Sequence, residues 1–306
     1  MLSQHPILAL QICRSSIVNA VHPIILEEKV PTLFGATAWS ISELKNPWYF
    51  RMRVNDKDTA AIIAKFIVED LKKTKIASLH DADVFGQGGD EETKKYLKSK
   101  YGITPITTQK YTSGTKDFTA QLLAIKESGA EVVYCWGTNS EDNAIILRQF
   151  KQLGLQMDLI GSAAYCSSVT LDIAGTHANG IYSVYDFAFE DDRPELQHWV
   201  KAYRTKYQED PDFWALYTYD GTKLIADAAK RAGIVKKDGN KFYIMPLQEA
   251  REALAKALRE TKGYKGAAGT YSADEYQNMI RQLAVVRIEE SKPRLVKLVN
   301  LEEDTN

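Results

Sequence analysis

The sequence predicts an α/β fold with two lobes, each built on a doubly wound parallel sheet with helices on both faces. Strand-like and helix-like segments alternate along almost the whole chain, and repeated strand–helix–strand units are typical of such sheets. The length of 306 residues corresponds to about two domains at ~150 residues each. Because neither a long linker nor a short repeat is present, we expect the chain to pass between the lobes more than once.

Hydrophobic periodicity and end signals predict the individual elements. The chain begins with a strand at 7–12 and a helix over 15–28 that Pro23 interrupts. The helix at 58–73 places its apolar residues on one face, with Asp58 as its N-cap. Further strands are predicted at 30–34, 75–80, 103–111, 131–135, 157–160 and 180–187. Further helices are predicted at 91–101, 116–128, 140–153, 194–207, 214–232 and 247–261, and a terminal antiparallel hairpin at 282–288 and 294–299.

The composition is that of an ordinary globular protein. Apolar residues make up 44% of the chain and charged residues 26%, and 39 basic against 40 acidic side chains leave a net charge of −1. This balance gives no general reason to expect binding to nucleic acid or to a membrane surface. Apolar stretches are far shorter than the ~18 residues of a membrane-spanning helix, so we expect no direct membrane insertion. The cysteines, Cys13, Cys135 and Cys166, match neither a disulfide framework nor a zinc site.

Motifs of enzymatic chemistry are missing from the sequence. Neither a Walker phosphate loop nor GxGxxG is present, and the glycines of 86–89 are predicted to form a tight strand–helix turn rather than an anion cradle. The glycine-rich segment 263–269 is interpreted as a helix stop and a flexible crossing between lobes. The histidines lack metal-ligand spacing, and 161–164 breaks the pattern of a nucleophile elbow. We therefore expect a non-enzymatic protein without a cofactor or a metal.

Five predicted strands end in loops that suit a small ligand, since ligands of parallel sheets lie beyond the carboxyl ends of the strands. The loops are 13–16, 35–38, 81–86, 136–139 and 161–165. Ser15 and Ser16 open a helix, where hydroxyls, free N–H groups and the helix dipole suit a carboxylate. The rings of Phe85, Trp136 and Tyr165 supply apolar area to enclose the rest of the molecule. Alternatively, Ser15 is only an N-cap and the rings belong to the core; the five loops together favour a ligand cleft.

Ordered sequence stretches then indicate a family. Cys13-Arg14-Ser15-Ser16 is followed by Val30-Pro31-Thr32-Leu33-Phe34-Gly35-Ala36-Thr37-Ala38. Further matching stretches follow in order at 48–53, 80–88, 114–118, 147–155 and 215–220. The set resembles the branched-chain amino acid binding proteins, which are type I periplasmic substrate-binding proteins of ABC transporters. The resemblance implies a two-lobed periplasmic-binding-protein fold that closes on its ligand about a hinge.

The resemblance also implies roles for individual residues. Ser15 matches the serine that binds the ligand carboxylate, Gly35 a backbone contact and Thr37 a hydroxyl beside the same carboxylate. Phe85 lies where the family often has a tyrosine over the ligand, and Thr138 or the next residue falls near another contact. Trp214 falls near the cleft or the hinge. The predicted ligand-binding residues are Ser15, Ser16, Gly35, Ala36, Thr37, Phe85, Trp136, Thr138, Ala163, Tyr165 and Trp214.

One departure from the family bears on the ligand. Amino acid binders of the family hold the ligand ammonium with an acidic side chain in the loop after the strand at 157–160, where this chain has Ala163. Burying an ammonium group without a counter-charge costs several kcal/mol. We therefore expect a small apolar or aromatic carboxylate rather than a branched-chain amino acid. The alternative is a shifted alignment in which Glu141 or Asp142 supplies the charge.

A second departure concerns the front of the chain. Family members begin with a signal peptide and a strand–helix–strand–helix unit, roughly 60 residues at ~30 per βαβ unit, that have no match here. Cys13 matches a position that is disulfide-bonded in some members. We expect lobe one, 1–56 with 186–270, to be incomplete at its N-terminus, and its exposed sheet edge to favour dimerisation or instability. Lobe two is expected to be 57–185 with 271–306.

The resemblance thus implies a solute-binding component of an ABC-type uptake system. Its partners would be a small carboxylate and a membrane permease, and its location periplasmic or extracellular. A cytosolic ligand sensor with the same clamp, an enzyme on a doubly wound sheet and a remnant without a ligand are the alternatives.

Overall fold

The computed structural model describes residues 5–239, 241–280 and 282–301. It confirms the α/β fold and divides the chain into two compact units, the first formed by 1–55 and 214–281 and the second by 56–213 and 282–306. The chain therefore passes three times from one unit to the other. Among the described residues no helix has the length and apolar character needed to cross a membrane.

The elements follow the predicted alternation over most of the chain. The helices at 40–43 and 168–174 and the strands at 49–51, 235–238, 241–244, 264–265 and 270–271 were not predicted. In the described part of the chain the strands are β1 (Leu10–Ile12), β2 (Thr32–Phe34), β3 (Tyr49–Arg51), β4 (Ile76–Asp81), β5 (Thr107–Tyr111), β6 (Val132–Trp136), β7 (Asp158–Gly161), β8 (Tyr182–Tyr185), β9 (Val235–Asp238), β10 (Lys241–Ile244), β11 (Tyr264–Lys265), β12 (Thr270–Tyr271), β13 (Gln282–Glu289) and β14 (Lys292–Asn300). The helices are α1 (Ser15–Glu28), α2 (Ser40–Glu43), α3 (Asp56–Lys65, continued by a π-helical turn over Phe66–Asp70), α4 (Val84–Tyr101), α5 (Thr119–Glu127), α6 (Ser140–Gln152), α7 (Ser168–Ala174), α8 (Pro194–Tyr207), α9 (Phe213–Arg231) and α10 (Leu247–Arg259).

The first unit is built on a parallel sheet in the order β1–β2–β3. Its core forms where α1 lays Val18 and Ile25 against Phe34 and Tyr49. Helix α1 runs unbroken through Pro23 and ends where Lys29 adopts a left-handed conformation, so the expected interruption is wrong. The register places Ile12 beside Phe34, so that the loops after β1 and β2 leave the same edge of the sheet.

The second unit is built on a sheet of seven strands in the order β14–β13–β8–β7–β6–β4–β5. The five strands from β8 to β5 are parallel, while β13 and β14 form the predicted antiparallel hairpin at one edge. Every residue of β4 and β6 is buried, which is typical of parallel strands covered on both faces. The loops after β4, β5, β6 and β7 therefore lie side by side at the carboxyl edge.

Two glycine-rich segments differ from their predictions. Helix α4 begins at Val84 behind the N-cap Asp83, so the glycines of 86–89 lie inside the helix instead of in a turn before it. Close packing requires two of them, because a side chain at Gly86 would collide with Asp81 and one at Gly89 with the indole of Trp136. The segment 263–269 is not a crossing between units: β11 and β12 pair within the first unit, and Asp220 accepts hydrogen bonds there from the N–H groups of Ala267 and Ala268.

The second and third crossings also differ from the expected boundaries. They lie at 213/214 and 281/282, whereas we expected 185/186 and 270/271. Residues 186–213 belong to the second unit because α8 packs Trp199 edge-on against Phe187, whose ring contacts Tyr185 of β8. Residues up to 281 stay in the first unit because the backbone N–H of Arg51 in β3 donates to the carbonyl of Gln277.

Candidate functional site

The first predicted loop ends at the N-terminus of α1. Arg14 is the N-cap and makes no side-chain hydrogen bond to the helix, whereas Ser15 is the first helical residue. The Ser15 side chain is 5% exposed, and its Oγ accepts a hydrogen bond from the backbone N–H of Ala38 at 3.3 Å. Ser16 is exposed in the same turn. The serine hydroxyls thus stand at the positive end of a 14-residue helix, close to the loop after β2.

The loop after β2 requires its glycine. The Gly35 N–H donates to the carbonyl of Ile12 at 3.0 Å. A side chain at position 35 would collide with the phenol ring of Tyr217. Ala36 and Thr37, which follow, are both buried. The backbone of this loop is therefore held against β1 on one side and against an aromatic ring of α9 on the other.

A buried arginine supports the same loop from β3. Arg51 is 1% exposed, and its Nη1 and Nη2 donate to the carbonyls of Thr37 and Ala38 at 3.3 and 2.9 Å. Its guanidinium also lies 5.4 Å from the centroid of the Phe34 ring. Arg53 donates to the carbonyl of Gly35 at 3.3 Å. Sequence reasoning assigned these arginines no role, although the alternation of arginines with apolar residues over 50–54 was a usable signal.

Helix α9 brings two aromatic side chains into the first unit. Trp214 is half-buried and meets Tyr217 edge-on at 5.9 Å between ring centroids. Burial raises the pKa of the Tyr217 phenol well above its usual value, so this hydroxyl is a neutral hydrogen-bonding group. Sequence reasoning named Trp214 and missed Tyr217, which faces Gly35 directly.

In the second unit, a pair of aspartates joins the loops after β4 and β6. Asp81 accepts hydrogen bonds from the N–H groups of Asp83 and Thr138 at 2.9 and 2.8 Å. Asp83 accepts from the Gly86 N–H and from the Thr138 hydroxyl, each at 2.8 Å. The predicted contact residue Thr138 therefore has its hydroxyl engaged inside the unit.

The pKa values of the two carboxyl groups are shifted in opposite directions. Burial, reinforced by the neighbouring Asp83, raises the pKa of Asp81 to about 7. Burial opposes ionisation of Asp83 as well, but hydrogen bonds from Asp81, Gly86 and Thr138 outweigh it and lower the Asp83 pKa. Near pH 7 Asp83 is ionised and Asp81 is about half ionised, so the pair carries between one and two negative charges, and its oxygens accept hydrogen bonds from internal donors.

The three predicted rings occupy different environments. Phe85 is half-buried and packs edge-on against Trp136 at 5.4 Å. Trp136 is 1% exposed, and its Nε1 donates to the Thr93 hydroxyl at 3.0 Å. Tyr165 is fully buried against Gly161. Trp136 and Tyr165 are thus buried within the second unit, whereas Phe85 is only half-buried.

No acidic side chain lies in the short helical turn after β7. Ala163 opens this turn, Ala163–Cys166, and both it and Ala164 are buried. Of the two alternative acids, Glu141 is exposed and lies 3.4 Å from the Lys116 ammonium. Asp142 is fully buried and accepts a hydrogen bond from the Gly114 N–H at 2.8 Å. Glu141 is thus paired at the surface, whereas the second carboxylate oxygen of Asp142, Oδ1, is buried without a hydrogen-bond partner in the described part of the chain.

Comparison with known proteins decides the family. A sequence profile described as a periplasmic binding protein matches residues 1–293. This chain belongs to the periplasmic binding protein family. The chain is 30% identical over 226 residues to the Leu/Ile/Val-binding protein homolog 1 of Brucella abortus. This match covers 74% of this chain and 56% of that relative. The match to the leucine-, isoleucine-, valine-, threonine- and alanine-binding protein of Pseudomonas aeruginosa is 31% identical over 199 residues and covers 65% and 52%. The chain thus spans about half the length of these relatives.

Solved structures show the same type I fold in other binding proteins. LivK, a leucine-binding protein of Thermotoga maritima, superimposes with a TM-score of 0.84 over 97% of this chain and 81% of its own, at 21% identity. LivJ of Streptococcus pneumoniae, in complex with isoleucine, gives 0.81 over 97% and 80%, at 20% identity. A solute-binding protein of R. palustris, in complex with benzoate, gives 0.82 over 94% and 77%, at 17% identity.

In this periplasmic binding protein, the predicted residues fall into two groups. The first unit brings together Ser15, Gly35, Ala36, Thr37 and, with Tyr217, Trp214. The second unit brings together Phe85 and Trp136, and ties Thr138 to Asp83, the N-cap of the helix that carries Phe85. Among the described residues, no group of three His, Cys, Asp or Glu side chains could hold a metal ion.

Proposed function

We propose that this periplasmic binding protein is the solute-binding component of an ABC-type uptake system and that its ligand is a small apolar or aromatic carboxylate without an ammonium group. The observation that carries the proposal is a contrast between the units. The first offers hydroxyls, amides and a helix N-terminus for an acid group, whereas the turn after β7 in the second offers no acid for a cation.

The acid group would bind at the N-terminus of α1. Ser15 and Thr37 supply hydroxyls, and the backbone of Gly35 and Ala36 is held in place by Arg53, Ile12 and Tyr217. Hydrogen bonds to a charged partner contribute ~1.5–3 kcal/mol each, and a helix N-terminus adds ~0.3–1 kcal/mol. The buried Arg51 holds the carbonyls of Thr37 and Ala38, so this loop is ordered before the ligand arrives.

An α-ammonium group would meet no acidic side chain in the turn after β7. The Asp81–Asp83 pair already accepts hydrogen bonds from Thr138, Gly86 and its own backbone. Leaving a buried cation unpaired costs several kcal/mol, which exceeds the binding free energy that one additional apolar contact contributes. The benzoate complex of the R. palustris protein shows that the fold accepts an aromatic acid.

A branched-chain amino acid is the second candidate ligand. The relatives favour this ligand. The Brucella abortus and Pseudomonas aeruginosa proteins, which are 30% and 31% identical to this chain, are named for binding leucine, isoleucine and valine. In either case the resemblance implies that the second unit, with Phe85 foremost, closes over the ligand and that a permease recognises the closed form. A periplasmic or extracellular location is part of the same proposal, and a cytosolic sensor is its alternative.

The ligand class is tested by titrating the protein with benzoate, phenylacetate, leucine and isoleucine. Binding is followed by tryptophan fluorescence and by isothermal titration calorimetry. We expect saturable binding of the acids and none of the amino acids. The double variant Ser15→Ala/Thr37→Ala should weaken binding about ten- to a hundredfold, since it removes two charge-assisted hydrogen bonds. Ser99→Ala, in the exposed last turn of α4, is the matched control and should bind normally.

Three results would count against the proposal. Binding of leucine or isoleucine but of neither acid would assign the second ligand class. Unchanged affinity in the double variant would remove the α1 anchor. Chemical conversion of a bound compound would make the protein an enzyme.

A further inference from the structure

The hairpin formed by β9 and β10 stands apart from the two main sheets. The two strands pair only with each other among the described residues, as an antiparallel ribbon. All eight of their residues are exposed. The hairpin is fixed at its base, where the buried Ile234 accepts a hydrogen bond from the Met245 N–H at 3.0 Å. It therefore presents a defined but uncovered surface.

The two faces of this ribbon differ in chemistry. Side chains alternate between faces along a strand, and the register pairs Val235 with Ile244 and Lys237 with Phe242. One face, the hairpin apolar face, thus carries Val235, Phe242 and Ile244, which are 56%, 65% and 74% exposed. Lys237 lies among them, with its ammonium 5.9 Å from the centroid of the Phe242 ring. The opposite face carries Lys236, Asp238, Lys241 and Tyr243.

The hairpin is also locally cationic. Three lysines and one aspartate lie on its strands, although the whole chain has a net charge of −1. The overall balance therefore hides a small basic patch. A contiguous exposed apolar patch flanked by cations is a marker of an interaction site with an anionic, partly apolar partner.

We propose that this hairpin docks the protein on the surface of an anionic lipid bilayer. Phe242, Ile244 and Val235 enter the interface between headgroups and acyl chains, and the lysine ammonium groups reach the lipid phosphates on flexible stems. The ribbon lies on the membrane and does not cross it. This inference concerns a surface separate from the ligand loops and does not rest on the proposed ligand.

A second copy of the chain fits the hairpin less well. Three apolar side chains from each partner fall far short of the ~800 Å² per subunit of a stable interface. A groove in an acidic protein would also match the charge of the hairpin. If such a protein were the partner, the chain would not bind vesicles, so vesicle binding distinguishes the two.

The test is sedimentation of the purified chain with large vesicles of phosphatidylglycerol and phosphatidylcholine in equal parts, with pure phosphatidylcholine vesicles alongside. We expect binding to the anionic vesicles only, weakened at least about tenfold when salt is raised from about 0.05 M to about 0.5 M. The double variant Phe242→Ser/Ile244→Ser and the triple variant Lys236→Gln/Lys237→Gln/Lys241→Gln should each lose at least about tenfold in affinity.

Tyr243→Ser, on the opposite face of the same strand, is the matched control and should bind within about threefold of the parent chain. Circular dichroism should show all variants folded, because the substituted side chains are exposed. No sedimentation with anionic vesicles overturns the proposal, as does equal binding to neutral vesicles or equal binding by the double variant. A dimer in sedimentation equilibrium that Phe242→Ser/Ile244→Ser abolishes, without vesicle binding, would assign the surface to a second copy instead.

Discussion

Asp81 shows how one buried residue makes the second unit sensitive to pH. Its side chain is fully buried, and burial raises the pKa of its carboxyl group from 3.8 to about 7. The native state thus holds this proton more tightly than the unfolded chain does. The resulting stabilisation is complete below about pH 4 and is lost as the pH rises through about 7. Asp83 acts in the opposite sense, because its pKa is lowered.

Substitution of Asp81 by asparagine should remove this pH dependence. An amide can donate to Asp83 at every pH, but it has one acceptor oxygen for the two N–H groups that Asp81 now serves. We expect Asp81→Asn to be about 1 kcal/mol less stable than the parent at pH 4. Toward pH 8 the parent loses at most about 4 kcal/mol of stability, because Asp81 ionises. The deficit of the variant should therefore shrink or reverse. Urea unfolding at both pH values measures this, and a deficit that is constant between them would contradict the raised pKa of Asp81.

Helix α4 shows how packing can override local preference within an element. Glycines weaken helices, which is why the sequence placed 86–89 in a turn and started the helix at 91. The structure begins α4 at Val84, since Asp83 accepts the Gly86 N–H as N-cap and the Trp136 indole occupies the space beside Gly89. Gly88, one position earlier, has open space where an added Cβ atom would lie.

Neighbouring alanine substitutions in α4 should therefore have opposite effects. Gly88→Ala should stabilise the protein by about 0.5–1 kcal/mol, because alanine lowers the entropy of the unfolded chain and meets no obstacle. Gly89→Ala should destabilise it by about 1–3 kcal/mol, because the added methyl group must displace Trp136. The denaturant midpoints of both variants and the parent, measured under the same conditions, test this prediction. Equal effects of the two substitutions would mean that the indole does not restrict position 89.

At the scale of the whole molecule, the division into units depends on where the aromatic residues of 186–213 pack. The sequence assigned this segment to lobe one. In the structure, Trp199 of α8 is 3% exposed and meets Phe187, which places the segment in the second unit. Each unit therefore contains segments that are distant in sequence, and each should respond to damage as its own cooperative body.

Trp199→Ala should reveal this division. The substitution removes a buried indole and should destabilise the second unit by about 3–5 kcal/mol. In hydrogen exchange we expect β7 and β8 to lose protection while β1, β2 and β3 retain theirs. Loss of protection confined to the strands of the first unit would restore the boundary expected at 185/186.

The sequence alone determined the alternation of elements, the parallel character of the sheets, the terminal hairpin and the loops at the carboxyl ends of the strands. These follow from periodicity and end signals that act over a few residues; the predicted bounds of the helices at 15–28 and 194–207 match α1 and α8. Only the tertiary structure decided that Tyr217 faces Gly35, that Asp81 and Asp83 are tied to Thr138, and that Trp136 lies inside the unit rather than at its surface. Each of these contacts joins residues that are separated by dozens of positions or more in the sequence. Local sequence patterns do not specify which distant residue a given side chain will contact.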